Sequence, residues 1–193
     1  MKNIIETYEI PKRFLTAKLT MIPDVLAYKQ ELIKYIDKAP ECLQRGIGLY
    51  ISGEPGTGKT SITSIILRRF AELGCTSYFV SGPDVPMFWN KPLMYSEDVT
   101  VRQHLCDVAV LILDDLVLFP NTTNAMDNLA MERLIRERQH NNLLTIITSN
   151  YSLTDLRKCG IIYSLITSSM HRLECAGILF REKEEKEIKD FFG

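Results

Sequence analysis

The sequence predicts an α/β fold in which a five-stranded parallel sheet is covered by helices on both faces. Short apolar stretches alternate along the chain with longer stretches in which apolar residues recur at helical spacing. The short stretches are apolar over most of their length, as is usual for strands buried on both faces. Two of them end in polar pairs, Asp114-Asp115 and Ser149-Asn150, which lie where α/β sheets bind ligands.

Composition and charge describe an ordinary globular chain. Its 193 residues are 46% hydrophobic and 24% charged, which fits one domain with a substantial core. We expect 1–45 to be an N-terminal linker and helix, and 46–193 to be the core. The formal net charge of -1 excludes a basic field over the whole protein. Any contact with nucleic acid must therefore come from a local patch.

Cysteine usage and hydropathy indicate a cytoplasmic protein. The five cysteines are scattered and contain no C-x-x-C pair, so neither a zinc site nor a disulfide framework is expected. The first nine residues lack the apolar centre of a signal peptide. The longest apolar run, 108–119, contains two aspartates and is too short to cross a bilayer. We expect no membrane partner.

Helices and strands are expected to alternate along the chain. Asp24 can cap a first helix over 24–37, and 38–45 should connect it to the first strand. Ile62, Ile65 and Ile66 recur at helical spacing, in a helix that should end at Gly74. The strands are expected at 49–51, 76–81, 108–113, 143–148 and 177–180. The other helices are expected at 96–105, 128–140, 153–158, 161–173 and 182–192, with a proline-containing loop at 82–91.

A phosphate-binding loop is predicted between the first strand and the second helix. Residues 53–60 match G-x-x-x-x-G-K-T, in which glycines let backbone N–H groups curl around phosphates at a helix start. Lys59 would bind the β- and γ-phosphates of ATP or ADP, and the Thr60 hydroxyl would bind Mg²⁺. The nucleotide contacts are expected from Gly53, Glu54, Pro55, Gly56, Thr57, Gly58, Lys59, Thr60 and Ser61. The alternative is a glycine turn that matches the pattern by chance.

Two further strand ends carry candidate catalytic groups. Asp114 can hold the Mg²⁺ that bridges the phosphates, and Asp115 can orient or activate water. The Asn150 amide can hydrogen-bond the attacking water or the γ-phosphate. In the alternative reading, both polar pairs are turns that cap the next helix. The spacing from Lys59 to Asp114 leaves room for a helix, a strand and a crossover, which indicates a strand inserted between the two motif strands.

In order, the segments IPKRF, GEPGTGKT, VLILDD, TIITSN and MHRL resemble the AAA+ ATPases of the DnaC/IstB type. These are bacterial and phage helicase loaders and transposition helper ATPases, and the resemblance covers about residues 10 to 181. It implies a three-layer P-loop NTPase of the AAA+, ASCE type with sheet order 5-1-4-3-2. The chain is expected to leave no room for the separate C-terminal lid domain that is common in other AAA+ proteins. It also implies that Lys59, Thr60, Asp114, Asp115 and Asn150 perform the roles given above.

The resemblance assigns one more catalytic residue. Family members place an arginine near the end of the penultimate helix, where it reaches the ATP of a neighbouring subunit. Here Arg172 takes that place, one turn after Ser168, where loaders often have another arginine. Alternatively, Arg172 pairs with Glu174. Arg181 or Lys186 is a candidate second sensor, although the charged run 181–189 is also typical of a solvated helix face.

DNA contact is expected from loops near the ends of the second and third strands. Phe88, Trp89, Lys91 and Phe119 combine aromatic rings for base stacking with a charge for phosphate. In the alternative reading, Phe88 and Trp89 are core anchors.

The function expected from these observations is that of a helicase-loader-like ATPase in DNA replication. It would hydrolyse ATP at subunit interfaces of an oligomer, contact single-stranded DNA and bind a replicative helicase. Three alternatives stay open: a transposition helper ATPase, a small-molecule P-loop kinase, and a non-enzymatic module that uses ATP as a structural ligand. The length of the stretch before the first strand leaves little room for a helicase-gripping domain.

Overall fold

The computed structural model describes residues 14, 16–90, 96–118, 125–177 and 189–191. Its five strands form one sheet in the order β2-β3-β4-β1-β5, and every neighbouring pair is parallel. The strands are β1 (Gly48–Gly53), β2 (Ser77–Ser81), β3 (Val110–Asp114), β4 (Leu144–Ser149) and β5 (Met170–Cys175). The predicted parallel sheet and its order are confirmed. Because β4 lies between β1 and β3, the predicted insertion of a strand is confirmed as well.

Helices cover both faces of the sheet, which gives the three predicted layers. They are α1 (Ala27–Asp37), α2 (Ala39–Arg45), α3 (Lys59–Glu72), α4 (Val85–Asn90), α5 (Ser96–Asp107), α6 (Ala125–His140), α7 (Leu153–Leu156) and α8 (Gly160–Ser169). Successive side chains of a strand point to opposite faces of the sheet, so each strand packs against both helix layers. In β1, Leu49 and Ile51 join α1 and α3 in one apolar cluster, whereas Tyr50 faces the cluster formed with α6 and α8. No helix in the described ranges is long and apolar enough to cross a membrane.

The fifth strand lies earlier in the chain than predicted. The helix expected over 161–173 ends at Ser169, and β5 begins at Met170 and pairs with β1. Gly177 lies outside any strand, and 178–180 fall outside the described residues. The physical reason is that the edge of β1 needs backbone partners. The stretch after α8 supplies them while it buries Leu173 and Cys175 in the core.

Two connections and one helix cap also differ from the prediction. The stretch 38–45 contains α2, and 82–91 contains a 3-10 turn (Gly82–Asp84) followed by α4. Their prolines lie in first turns, where the missing N–H leaves no helical hydrogen bond unmade. Asp24 does not cap α1, which begins at Ala27. The Asp24 carboxylate instead accepts a 2.6 Å hydrogen bond from Lys29. Of the predicted C-terminal helix, the structure describes 189–191 as helical.

Arg138 on α6 joins three elements inside the core. The residue is 0% exposed, and its guanidinium donates hydrogen bonds to protein acceptors at distances of 2.8–3.3 Å. The acceptors are the backbone carbonyls of Leu105, Cys106, Val108 and Leu144 and the hydroxyl of Thr145. Arg138 thereby satisfies carbonyls at the end of α5 and fixes the start of β4.

Replacing Arg138 with methionine should destabilise the protein strongly. Several buried carbonyls would lose their donor, and each unsatisfied group costs about 1–3 kcal/mol, so we expect a loss of about 3 kcal/mol or more in the free energy of unfolding. Urea denaturation measures the loss. The control is Arg136→Met on the exposed side of the same helix, which should change stability by no more than about 0.5 kcal/mol. Equal losses in the two variants would contradict the assigned role of Arg138.

Candidate functional site

The phosphate-binding loop lies where β1 ends and α3 begins. Thr57 closes the loop by donating two hydrogen bonds to the Glu54 carbonyl, 3.3 Å from its backbone nitrogen and 2.8 Å from its hydroxyl. Gly58, just before α3, has a φ of 87°, a left-handed conformation that suits glycine. The 14-residue helix α3 therefore directs its first N–H groups toward the loop. This arrangement favours an anion such as a phosphate.

Lys59 connects the loop to the end of β4. Its side chain is largely buried, and its ammonium group donates to the carbonyls of Gly53 at 2.8 Å and Glu54 at 2.9 Å. It also donates to Oδ1 of Asn150 at 2.8 Å. A positive charge is thus held between the loop and the sheet edge, although 91 residues separate Lys59 from Asn150 in sequence.

Asp114 ends β3 beside the start of α3. Its carboxylate accepts hydrogen bonds from the Thr60 hydroxyl, 3.1 and 3.3 Å from its two oxygens, and from the Thr148 hydroxyl at 2.7 Å. Burial raises the pKa of Asp114 above its ordinary value, and the hydrogen bonds from Thr148 and Thr60 oppose that shift. The negative charge of Asp115 adds to the increase in pKa.

Asp115 follows in an unusual backbone conformation. Its φ is 56°, in the left-handed region that residues with a side chain seldom adopt. Its N–H donates to the Thr148 hydroxyl at 2.8 Å, and its exposed carboxylate accepts from Nδ2 of Asn150 at 3.1 Å. Gly82 leaves room for this turn, because a Cβ there would lie 2.9 Å from the Asp115 carbonyl oxygen.

The structure therefore brings together five of the predicted site residues. Lys59, Asn150 and Asp115 form one chain of hydrogen bonds, and Thr60 contacts Asp114 beside it. The alternative reading of Ser149-Asn150 as a capping turn does not hold, because Ser152 caps α7 through its hydrogen bonds with Asp155.

Other predicted residues lie elsewhere. Arg172 lies in β5, opposite Tyr50 of β1, and not at a helix end as expected. Its side chain is exposed, and no ion pair with Glu174 is found in the described part of the chain. Trp89 is a core residue at 8% exposure, with the Arg102 guanidinium 4.5 Å from its ring centroid, so the expected DNA-facing loop position is wrong for it.

The remaining DNA candidates divide in the same way. Phe88 is partly buried against the same core cluster as Trp89, in agreement with the alternative of a core anchor. Lys91 and Phe119 lie outside the described residues, as do the candidate second sensors Arg181 and Lys186.

Two features of the site were not predicted from the sequence. Thr148 bonds to both aspartates, and the available signal was a hydroxyl residue at the end of an otherwise apolar strand. A cavity of about 290 Å³ also adjoins the loop. Its lining includes Ser52, Glu54, Asn150, Ser152 and Glu174. This cavity provides space beside the loop and Asn150 that no single motif indicated.

The residues at the start of α3 and the end of β3 fit a magnesium ion. Mg²⁺ prefers oxygen ligands, and it usually takes one or two from carboxylates and the rest from water and phosphate. The Thr60 hydroxyl and the Asp114 carboxylate supply two such groups within 3.3 Å of each other, next to the phosphate-binding loop.

Comparison with solved structures identifies the fold. The chain is similar to DnaI, with a TM-score of 0.71 and 20% identity over 92% of this chain and 97% of that one. It is also similar to the DnaC helicase loader, with a TM-score of 0.73 and 23% identity over 86% and 100% of the two chains. No protein-family model matches the sequence, and no curated protein matches it either.

A third similar structure is larger than this chain. It is DnaA from Aquifex aeolicus bound to AMPPCP, with a TM-score of 0.65 and 17% identity. The alignment covers 91% of this chain but 55% of that one. These likenesses support the resemblance to DnaC-type AAA+ proteins at the level of the fold. The chain has the P-loop α/β fold that DnaI, DnaC and DnaA share, and its described residues form no separate lid domain.

Replacing Asp114 with asparagine should stabilise the protein when no nucleotide is present. Burial raises the pKa of Asp114, so its charged form is disfavoured in the folded chain, and the amide removes that cost. The gain should be complete at neutral pH. It should disappear as pH falls below 3.8, the ordinary pKa, because the native carboxyl is then protonated in both states. Urea denaturation at several pH values measures the difference.

Asp155→Asn is a control for which the change in stability should have the opposite sign. Hydrogen bonds from Ser152 hold the pKa of Asp155 below its ordinary value, so its charge stabilises the fold at neutral pH. That variant should be less stable than the native chain at neutral pH, and the deficit should shrink as pH falls through the lowered pKa. A loss of stability in Asp114→Asn would show that its hydrogen bonds outweigh its burial.

Proposed function

We propose that this chain is a Mg²⁺-dependent AAA+ ATPase of DNA replication that acts as a helicase loader. In this proposal, residues 46–193 form the ATPase core and 1–45 the linker and helix that precede it. The protein works in the cytoplasm, binds ATP or ADP and assembles into an oligomer with ATP at its subunit interfaces. Its partners are a replicative helicase and single-stranded DNA.

One observation carries the proposal. Lys59, Thr60, Asp114, Asp115 and Asn150 come from the start of α3 and the ends of β3 and β4, and they lie in contact at one edge of the sheet. A cation for the phosphates, an oxygen pair suited to Mg²⁺, and a carboxylate and an amide that can position water are the kinds of group that P-loop NTPases use for hydrolysis of a terminal phosphate.

Each residue has a chemical role in the proposed reaction. The Lys59 ammonium, held 2.8 Å from Asn150, neutralises charge on the β- and γ-phosphates. Thr60 and Asp114 would hold Mg²⁺, which supplies further positive charge to the phosphates when bound. The Asp115 carboxylate accepts a proton from the attacking water. Asn150, whose Nδ2 donates to Asp115, fixes the position of that carboxylate beside the attacking water.

The comparisons support the choice of a helicase loader. DnaC, one of the similar structures, is a helicase loader, and the alignment spans 100% of its solved chain. Another similar structure is DnaA bound to AMPPCP and single-stranded DNA, at a TM-score of 0.64. We extend these properties to this chain as a proposal, in preference to transposition or small-molecule phosphorylation.

Phosphate release from ATP should require Mg²⁺, proceed without any small-molecule acceptor and increase when single-stranded DNA is added.

Lys59→Ala should abolish ATP binding, because it removes the cation at the loop. Asp115→Asn should bind ATP normally but lose turnover by about 10²–10⁴-fold, the usual contribution of general base catalysis. Isothermal titration and a phosphate-release assay measure the two effects. Tight binding without turnover in the native protein would favour a structural role for ATP.

Arg172 is proposed to act on the ATP of a neighbouring subunit. Its exposed position on β5 leaves the guanidinium available to a second copy of the chain. Arg172→Ala should lower turnover by about 10³–10⁵-fold, whereas Arg157→Ala, at another exposed arginine, should not. Mixing Arg172→Ala with Asp115→Asn should restore part of the activity, since some interfaces then combine both native residues. Full turnover by Arg172→Ala alone would contradict the role.

A further inference from the structure

The Thr148 hydroxyl lies between the two aspartates of the site. It donates to Oδ1 of Asp114 at 2.7 Å and accepts the backbone N–H of Asp115 at 2.8 Å. The residue is 2% exposed and lies in β4, one position before Ser149 at the end of the strand. A single buried hydroxyl therefore connects the ends of two neighbouring strands.

The direction of these hydrogen bonds is fixed. A threonine hydroxyl has one proton. The backbone N–H of Asp115 can only donate, so the Thr148 oxygen must accept that hydrogen bond. The hydroxyl proton is then directed at Asp114 and cannot rotate away without leaving the carboxylate. Thr60 contacts Asp114 as well, but its longer distances of 3.1 and 3.3 Å leave its hydroxyl freer to turn toward another ligand.

The backbone of Thr148 reinforces the contact. Its carbonyl accepts the N–H of Leu116 at 2.7 Å, so Thr148 binds three consecutive residues, 114 to 116. The middle residue, Asp115, has the left-handed φ of 56°, which costs free energy unless its surroundings hold it. Its carboxylate meets Asn150 in that conformation.

We propose that Thr148 is a positioning residue for both aspartates, an inference that rests on the proposed ATPase function. Its hydroxyl holds Asp114 in place for Mg²⁺ when the Thr60 hydroxyl turns to the ion. The same hydroxyl holds the Asp115 peptide so that the carboxylate faces Asn150. Thr148 acts through these residues and touches no reacting atom itself.

Thr145 on the same strand provides a matched control. It is also buried, at 4% exposure, and its hydroxyl is also hydrogen-bonded, 3.0 Å from Nε of Arg138. That bond lies at the start of β4, away from the aspartates. Thr145→Val should therefore reproduce the general cost of removing a buried hydroxyl from this strand without disturbing the site.

The experiment compares Thr148→Val, Thr148→Ser and Thr145→Val in the full chain. Thr148→Val should lower kcat by about 10–100-fold and raise the Mg²⁺ concentration needed for half-maximal turnover, as expected when a partner of a metal-binding group is lost. ATP affinity in EDTA should stay close to that of the native protein, because Lys59 and the loop are intact. Thr148→Ser should restore turnover, and Thr145→Val should leave it unchanged. Equal losses in the two valine variants, or no rescue by serine, would overturn the proposal.

The amide of Asp115 provides a readout that does not depend on catalysis. In the native protein its N–H should exchange slowly with solvent despite the exposed side chain, and Thr148→Val should accelerate the exchange and shift its NMR signal. Fast exchange in the native protein would overturn the inference, even if no valine variant folds. If the native protein does not hydrolyse ATP but this amide is protected and responds to Thr148→Val, the proposed function fails and the contact stands.

Discussion

The parallel pairing of β4 between β1 and β3 is the constraint on which the site depends. Three strands that point the same way bring their carboxyl ends to one edge, so groups far apart in sequence meet there. Lys59 follows β1, Asp114 ends β3, and Asn150 follows β4. Shifting one of these strands by a residue would turn its polar end toward the opposite helix layer. The apolar core that fixes the strand register therefore also determines which polar side chains meet at the site.

The site contains groups that the fold alone would not favour. A buried ammonium group and a partly buried carboxylate both lose hydration, and protein hydrogen bonds offset part of that cost. Lys59 donates to oxygens of Gly53, Glu54 and Asn150, and Asp114 accepts from the hydroxyls of Thr60 and Thr148. Asp115 adds an uncommon backbone conformation. These features make the edge of the sheet less stable than an apolar alternative, which is common where a fold has been adapted for catalysis.

Most of the fold could be predicted from the sequence, because its signals are local. The apolar strands, the glycine loop and the polar strand ends can each be recognised from the residues within them. The order of the sheet followed from the resemblance. The failures concern segments whose structure depends on distant partners. The strand that begins at Met170 is defined by the open edge of β1, and Trp89 is buried because α4 packs against α6. The hydrogen bonds of Thr148 could not be predicted, since they join residues 33 and 34 positions apart.

The position of β5 at the end of the sheet has a consequence for solubility. A terminal strand offers unpaired backbone groups that can recruit a strand from another molecule, and charged side chains along such a strand discourage that addition. His171, Arg172 and Glu174 are exposed along β5. Contacts between copies of the chain at this edge should therefore form through side chains and not by extension of the sheet.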